Sequence, residues 1–166
     1  FNLNYNLDTI GLRYFNVFGP KQNPNGPYAA VIPLFIKKLT NYESPVINGD
    51  GSFSRDFTFI NNVIQMNILA LTTDDKIAIN QVYNTAVGER TTLIEMFLLL
   101  KKYLSKHDPR ISQVEVKFGP ERLGDIPHSL ASMEKANKLL NYSPSYTLEQ
   151  GIEMYVEWYI KNNNND

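Results

Sequence analysis

The sequence contains no cysteine, which excludes disulfide frameworks, thiolate metal sites and cysteine nucleophiles together. Histidine is scarce as well, since His107 and His128 are the 2 histidines of the chain. They are too far apart in sequence to form a His-x-x-x-His pair on one helix face, and no cysteine can assist them. We therefore expect no metal site.

Long apolar runs and an excess of charge are also missing. The run at residues 96–100 falls far below the roughly 20 residues that a membrane-spanning helix needs. The 16 Lys and Arg residues nearly balance the 17 Asp and Glu residues, for a net charge of −1. Nucleic-acid binding requires a basic surplus, so we expect no nucleic acid as partner. Because the apolar run is short, we expect no membrane as partner either, and the expected location is cytoplasmic.

No glycine-rich phosphate loop is present. None of the 9 glycines belongs to a Gly-x-Gly-x-x-Gly or Gly-x-x-x-x-Gly-Lys pattern. In those patterns, backbone N–H groups hold the phosphates of a dinucleotide or a nucleoside triphosphate. The chain therefore carries no dinucleotide fingerprint of its own.

The sequence does contain the composition and periodicity of a folded protein. With 43% hydrophobic and 20% charged residues, it lies outside the disordered range. Its 166 residues suit one ordinary domain or half of a larger enzyme. Apolar periodicity predicts strands and helices in alternation, which is typical of an α/β fold.

The pattern predicts five strands and five helices. The predicted strands are residues 9–15, 45–48, 55–59, 81–85 and 114–118, the first of them buried. The predicted helices are residues 31–40, 61–71, 91–106, 132–141 and 147–160. The predicted N-caps are Asn61 or Asn62, Thr91 or Thr92, Ser132 and Thr147, and Asn141 marks a helix end. Residues 161–166 are expected to be a disordered tail.

Three polar residues stand out at the edges of predicted loops. Asn16 follows the first strand, where α/β sheets present ligand-facing side chains, although by itself it is better explained as a turn-forming Asn. Arg55 and Arg122 follow glycine- or proline-containing loops, and guanidinium groups suit diphosphate oxygens. The alternative for each arginine is a surface pair with a neighbouring aspartate, Asp56 or Asp125.

Seven short motifs, read together, resemble one family. They are Leu-Arg-Tyr-Phe-Asn-Val-Phe-Gly-Pro (12–20), Tyr-Ala-Ala-Val-Ile-Pro (28–33), Ile-Asn-Gly-Asp-Gly (47–51), Ser-Arg-Asp-Phe (54–57), Tyr-Asn (83–84), Gly-Asp-Ile-Pro-His-Ser (124–129) and Leu-Asn-Tyr-Ser-Pro (140–144). Their order and spacing resemble the extended short-chain dehydrogenases that modify nucleotide sugars, and most closely the UDP-N-acetylglucosamine 4-epimerases. The resemblance covers about residues 10–160 and implies NAD as cofactor, a UDP-sugar as substrate and a Rossmann-like fold.

The resemblance also implies that this chain corresponds to the C-terminal half of such an enzyme. The earlier half of the family supplies the Gly-rich NAD loop, a catalytic Tyr-x-x-x-Lys pair and the usual homodimer contact. None of the 10 tyrosines here has Lys four positions later, so the chain alone is expected to be inactive. Residues 1–30 would end the Rossmann domain and cross over, and residues 31–160 would form mainly the nucleotide-sugar-binding domain. The first strand would then expose apolar surface.

Family members oxidise the sugar at C4 through NAD, and then return the hydride to the other face of the 4-keto sugar. The resemblance implies no catalytic residue in this chain, but it implies several binding residues. These are Phe15 beside the nicotinamide, Asn16 on the sugar-diphosphate, Gln22 on the sugar, Ala30 and Val31 on the nucleotide, Val46 and Asn48 beside uracil, Arg55 and Arg122 on the diphosphate, and Asp125 on the ribose.

Ser129 matches the position where galactose-specific epimerases carry a large Tyr. A small side chain there implies room for an N-acetyl group, and hence UDP-GlcNAc, UDP-GalNAc or their uronic acids as substrate. A serine near the start of a helix is the alternative explanation. A dehydratase or decarboxylase of the same superfamily, or a non-catalytic nucleotide-sugar-binding module, remain alternative functions.

Overall fold

A computed structural model describes residues 2–23 and 30–163 of the chain. The helices are α1 (Asn2–Tyr5), α2 (Val31–Thr40), α3 (Ile60–Thr72), α4 (Leu93–Ser105), α5 (Glu134–Leu140) and α6 (Leu148–Asn163), with a 3₁₀ helix over Pro109–Gln113. The strands are β1 (Ile10–Tyr14), β2 (Val17–Phe18), β3 (Val46–Asn48), β4 (Ser54–Arg55), β5 (Thr58–Phe59), β6 (Gln81–Thr85), β7 (Thr91–Thr92) and β8 (Lys117–Gly119). The predicted α/β class is confirmed.

The described strands form four two-stranded sheets. β1 pairs with β6, β2 with β5 and β3 with β8, all in parallel, whereas β4 and β7 are antiparallel. Parallel pairs need long crossover connections, and helices lie in those connections here. Since β1 follows β6 in register from Ile10↔Gln81 to Tyr14↔Thr85, Asn16 comes just beyond the carboxyl end of this pair.

The main core lies between α2, α4 and α6. Phe35 of α2 and Phe97 of α4 meet edge to face, with ring centroids 6.3 Å apart. β3 and β5 add Ile47 and Phe59 to the same cluster. This core supports the strands from which the candidate site is built.

Three of the predicted helix ends are confirmed. Thr92 caps α4 in a capping box, because its hydroxyl accepts from the Glu95 N–H (3.2 Å) and its own N–H donates to the Glu95 carboxylate (2.8 Å). Thr147 and Gln150 repeat this arrangement at the start of α6. Asn141 ends α5 in the left-handed conformation, with φ 53°.

Two predicted caps are wrong. α3 begins at Ile60 without a side-chain cap, and Asn62 is instead buried inside the helix. Its side-chain amide donates to the Tyr146 carbonyl (2.8 Å) and accepts from the Tyr146 N–H (3.0 Å). Ser132 does not cap α5 either, and its carbonyl accepts from the Asn84 side chain (3.1 Å). Both residues serve long-range contacts that a local pattern does not contain.

Three predicted segments have different bounds in the structure. The strand expected over residues 55–59 is split into β4 and β5, because Asp56 turns its carboxylate inward between them. The strand expected over 114–118 begins only at Lys117, since the 3₁₀ helix ends at Gln113 and residues 114–116 join it to β8 without regular structure. Residues 161–163, expected to belong to a disordered tail, instead continue α6 to Asn163, whose side chain donates to the Tyr159 carbonyl (3.0 Å), and residues 164–166 lie outside the described residues.

β1 is less buried than the prediction for residues 9–15 stated. Ile10 and Leu12 are half-buried, and Tyr14 at its end is 52% exposed. On β6, Val82 is 45% exposed. Apolar surface is therefore exposed at this pair of strands. Among the described residues, no helix combines the length and the apolar character of a membrane span.

Candidate functional site

A cavity of about 440 Å³ opens where β2, β3, β4 and the start of α2 meet. Its apolar wall comes from Val17, Phe18, Ile32, Leu34, Phe35, Ile47, Phe57 and Leu93. Eight of the residues predicted from the sequence also line it, namely Asn16, Ala30, Val31, Val46, Asn48, Arg55, Arg122 and Asp125. The structure thus brings together segments that lie as far apart as residues 16 and 125.

β3, which pairs in parallel with β8, forms one side of this cavity. Asn48 faces Gly119 in the register of this pair, and the Gly49 N–H donates to the Gly119 carbonyl (2.9 Å). Val46 of β3 is 54% exposed although it is apolar. A flat heterocyclic ring could pack its face against the exposed Val46 side chain and form a hydrogen bond from its polar edge to Asn48.

Asn16 lies at the turn between β1 and β2 with φ 34°, a conformation that Asn tolerates better than most residues. Its side-chain amide donates to the Asp56 carbonyl (3.2 Å), and its own carbonyl accepts from the Thr58 N–H (3.2 Å). Asn16 therefore forms a turn and also lines the cavity, and its contact with a ligand stays a prediction.

Arg55 does not pair with the neighbouring Asp56. Its Nη1 donates to two carbonyl oxygens, those of Ser54 (2.9 Å) and Pro127 (3.3 Å). The buried Asp56 carboxylate accepts instead from the backbone N–H groups of residues 87, 88 and 131, at 3.0, 3.0 and 3.3 Å. Burial raises the pKa of Asp56, and these three N–H groups oppose that rise. Asp56 therefore ties the backbone next to Arg55 to residues 87, 88 and 131.

Arg122 and Asp125 lie on an exposed loop that borders the same cavity. They belong to one turn, in which the Asp125 N–H donates to the Arg122 carbonyl (3.2 Å) and Gly124 adopts φ 89°. Among the described residues, neither Arg55 nor Arg122 forms a salt bridge. Two cationic side chains without acidic partners at one cavity make a suitable environment for an anion.

The N-terminus of α2 forms another border of the cavity. Ala30 is its N-cap residue and provides no side-chain hydrogen bond. The N–H groups at the start of a helix have no partner within the helix, so Val31 and the residue after it present backbone donors there. Backbone contacts were predicted at Ala30 and Val31. The motif residues Tyr28 and Ala29 lie outside the described residues.

Three predicted residues do not line the cavity. Phe15 is half-buried at the end of β1, and its N–H donates to the Thr85 carbonyl (3.1 Å). The Gln22 amide donates to the Val17 carbonyl (2.9 Å), and its buried Oε1 has no partner among the described residues. The Ser129 N–H donates to the Ser54 carbonyl (3.0 Å). These three residues lie outside the lining of the cavity, and their proposed contacts stay predictions.

Sequence reasoning gave no role to the apolar wall or to one polar pair. Ser54 is 4% exposed, and its hydroxyl lies 2.9 Å from Nδ1 of His128. Ser54 belongs to the motif at residues 54–57 and His128 to the motif at residues 124–129, directly beside Arg55 and Ser129. That position is the sequence signal that could have indicated them. In residues 2–23 and 30–163, no group of three or more His, Asp or Glu side chains could hold a metal ion.

Phe15 is the one residue of this chain that is predicted to contact a cofactor. Its half-buried ring follows the carboxyl end of a parallel strand, where α/β sheets bind ligands. An aromatic ring there fits one flat heterocycle. The described residues offer no glycine-rich turn for a dinucleotide pyrophosphate, so the remaining contacts to such a cofactor would have to come from elsewhere.

Several known proteins are similar to this chain over nearly all of its length. The model of the NAD dependent epimerase/dehydratase family matches residues 1–86. A UDP-glucose 4-epimerase of Mycolicibacterium smegmatis is 30% identical over 155 residues, which cover 93% of this chain and 46% of that protein.

Two solved structures are similar as well. A UDP-N-acetylglucosamine 4-epimerase from Methanobrevibacter ruminantium M1, in complex with UDP-N-acetylmuramic acid, has a TM-score of 0.86 at 40% identity and covers 97% of this chain. A UDP-glucose 4-epimerase from Thermotoga maritima, with UDP-glucose, has a TM-score of 0.86 at 33% identity and covers 98%. The chain matches 49% of each of those two chains, and so spans about half the length of its relatives.

Proposed function

Because this chain belongs to the NAD-dependent epimerase/dehydratase family, we propose that it is the substrate-binding half of a UDP-sugar 4-epimerase. The observation that carries this proposal is the cavity lined by an apolar wall and by Arg55 and Arg122, neither of which forms a salt bridge within the described part of the chain. A nucleoside diphosphate needs an apolar surface for its base and, beside it, cationic groups for its phosphates.

The proposed position of UDP follows from the chemistry of each border. Uracil lies against Val46 and Asn48, since the valine offers apolar surface and the amide can pair with the ring's polar edge. The diphosphate meets Arg55 and Arg122, whose guanidinium groups hold phosphate oxygens through paired N–H groups. Asp125 accepts from the ribose hydroxyls. A volume of about 440 Å³ lies within the range of small-molecule sites.

The sugar lies beyond the diphosphate, towards Asn16, Gln22 and Ser129. The two similar solved structures hold different sugars on the same UDP group, so recognition of UDP is the shared feature and the sugar is the variable one. We propose UDP-GlcNAc and UDP-GalNAc, or their uronic acids, because Ser129 is small. Oε1 of Gln22, which has no partner within residues 2–23 and 30–163, would accept from a sugar hydroxyl or an amide N–H.

NAD, when bound, accepts the hydride from C4 of the sugar and returns it. In this chain, Phe15 would contact the nicotinamide ring, and the other residues hold UDP while the sugar turns. A firm hold on UDP with few contacts to the sugar lets the intermediate rotate without leaving the enzyme. The chain has no Tyr-x-x-x-Lys pair, so we propose that it is inactive by itself and that residues 31–160 form mainly the substrate domain.

The experiment that tests the activity is product analysis of the whole protein with UDP-GlcNAc. Epimerisation gives UDP-GalNAc of unchanged mass and consumes no net NAD. A product that has lost water or carbon dioxide would instead indicate a dehydratase or a decarboxylase. Binding without any product would indicate a non-catalytic nucleotide-sugar module.

A further inference from the structure

A set of five residues, here called the clasp, joins two distant segments beside the cavity: Ser54, Arg55, Pro127, His128 and Ser129. The Ser54 N–H donates to the Pro127 carbonyl (2.9 Å), and the Ser129 N–H donates to the Ser54 carbonyl (3.0 Å). This is a parallel bridge between Ser54 and His128. The same two residues also meet through their side chains, with 2.9 Å between Ser54 Oγ and His128 Nδ1.

The clasp determines how Arg55 is oriented. Nη1 of Arg55 donates to the Ser54 and Pro127 carbonyls, and each of these carbonyls also accepts a backbone N–H of the clasp. Among the described residues, Nε and Nη2 of Arg55 have no partner. One edge of the guanidinium group is therefore fixed on the clasp, and the remaining donors are available to a ligand in the cavity.

The clasp is also the second anchor of the loop that carries Arg122 and Asp125. The first anchor is the pairing of β8 with β3, which ends at Gly119. Between the anchors the loop packs little, because Leu123 is fully exposed and Ile126 is 66% exposed. A loop with so few contacts of its own depends on its anchors for its position, and Asp125 lies two residues before Pro127.

We propose that His128 is a positioning residue for the diphosphate site, acting through Ser54 on Arg55 and on the Arg122 loop. The inference rests on the proposed function, since it presupposes that UDP occupies the cavity. The Ser54 hydroxyl is almost completely buried, and a buried hydroxyl that loses its partner is costly. Loss of His128 would therefore loosen the clasp, and a small displacement of two guanidinium groups weakens a contact that depends on their geometry.

The test is calorimetry of this chain and its variants with UDP and with uridine, which lacks both phosphates. For His128→Ala we expect UDP affinity to fall about tenfold, the loss of one well-placed hydrogen-bonded contact. Uridine affinity should fall much less, because uridine keeps the ribose that Asp125 is proposed to bind but lacks both phosphates. His128→Asn keeps a polar atom near the position of Nδ1 and should restore most of the UDP affinity. His107→Ala, at an exposed histidine after α4, is the matched control and should change neither affinity.

A double-mutant cycle separates positioning from general stability. If Ser54 and His128 act as one unit, Ser54→Ala and the double variant should lose as much UDP affinity as His128→Ala alone. A fall in uridine affinity equal to the fall in UDP affinity would overturn the inference, as would unchanged UDP affinity in His128→Ala. If the unmodified chain does not prefer UDP over uridine, the proposed function fails and the inference fails with it, whereas a preference that His128→Ala leaves intact refutes the inference alone.

Discussion

Arg55 donates a hydrogen bond to the carbonyl oxygen of Pro127 over 3.3 Å, although the two residues are 72 positions apart in the sequence. This contact joins the strand that carries one arginine of the cavity to the loop that carries the other. The Asp56 carboxylate accepts from the N–H groups of residues 87 and 88 and does not pair with Arg55. The Arg55 guanidinium group is therefore not held by Asp56 and can face the cavity. The proposed diphosphate site is thus assembled from two distant segments, β4 with Arg55 and the loop with Arg122.

Replacement of Arg55 should weaken diphosphate binding more than base binding. Hydrogen bonds to a charged group contribute about 1.5–3 kcal/mol, so Arg55→Ala should lower UDP affinity by roughly 10- to 100-fold, and uridine affinity little. Arg55→Lys should recover only part of the loss, since Lys cannot form the two-pronged contact. Calorimetry measures both ligands. Arg110→Ala is the control, because Arg110 pairs with Asp108 on an exposed surface; an equal loss in that variant would contradict the assignment.

Asn62 should be essential for folding stability even though it lies far from any proposed ligand. Its buried amide satisfies both backbone groups of Tyr146. Asn62→Ala should lower the free energy of unfolding by about 2–4 kcal/mol, since two buried backbone groups lose their partners. Urea denaturation measures this change. Asn61→Ala is the neighbouring control and should stay within about 0.5 kcal/mol; similar losses in both variants would contradict the role given to Asn62.

Asp56 should give the stability a specific pH dependence. Burial raises its pKa in the folded chain. A carboxyl group with a raised folded pKa contributes stability below its unfolded pKa and loses that contribution as the pH rises through the folded value. The unmodified chain should therefore gain more unfolding free energy over Asp56→Asn near pH 4 than at pH 7. The first value, about pH 4, is close to the ordinary pKa of an aspartate, and the second is neutral.

Urea denaturation of both proteins at the two pH values measures this difference. Asp108→Asn provides a control of opposite sign, because hydrogen bonds from Arg110 and Tyr42 lower the pKa of Asp108. Its contribution is present above the unfolded pKa and is lost as the pH falls. A difference for Asp56 that grows towards pH 7 would mean that its three N–H donors outweigh burial.

Ser129→Tyr should change the sugar preference of the whole protein. A tyrosine fills the volume proposed for the N-acetyl group, so relative kcat/KM should shift from UDP-GlcNAc towards UDP-glucose by about tenfold or more, the scale on which a filled pocket discriminates between substrates. Ser129→Ala keeps the volume and should preserve the preference. An unchanged preference in Ser129→Tyr would refute the assignment of Ser129.

Local sequence signals predicted the fold where local physics determines it. The N-cap predicted at Thr91 or Thr92 and the helix end predicted at Asn141 depend on neighbours within four residues, and the structure confirms both, at Thr92 and at Asn141. Asn62 shows the limit of such signals. As a polar residue at the start of an apolar helix it resembled a cap, but its partner is Tyr146, 84 residues away. Only the folded chain brings the two together.

The candidate site shows the same division. The motif order predicted Arg55 and Arg122 as a pair, and the structure places both at one cavity. It did not predict that Asp56 would turn away from Arg55, because the donors that attract its carboxylate come from residues 87, 88 and 131. The apolar wall was missed for a related reason, since a Phe that lines a cavity and a Phe in the core look alike in sequence.

The most direct test of the central claim is calorimetry of the 166-residue chain with UDP, and then with uridine. The account predicts that UDP binds and that it binds at least about tenfold more tightly than uridine, because two guanidinium groups contact its phosphates. Equal affinity for the two ligands, or no binding of UDP to the folded chain, would contradict it.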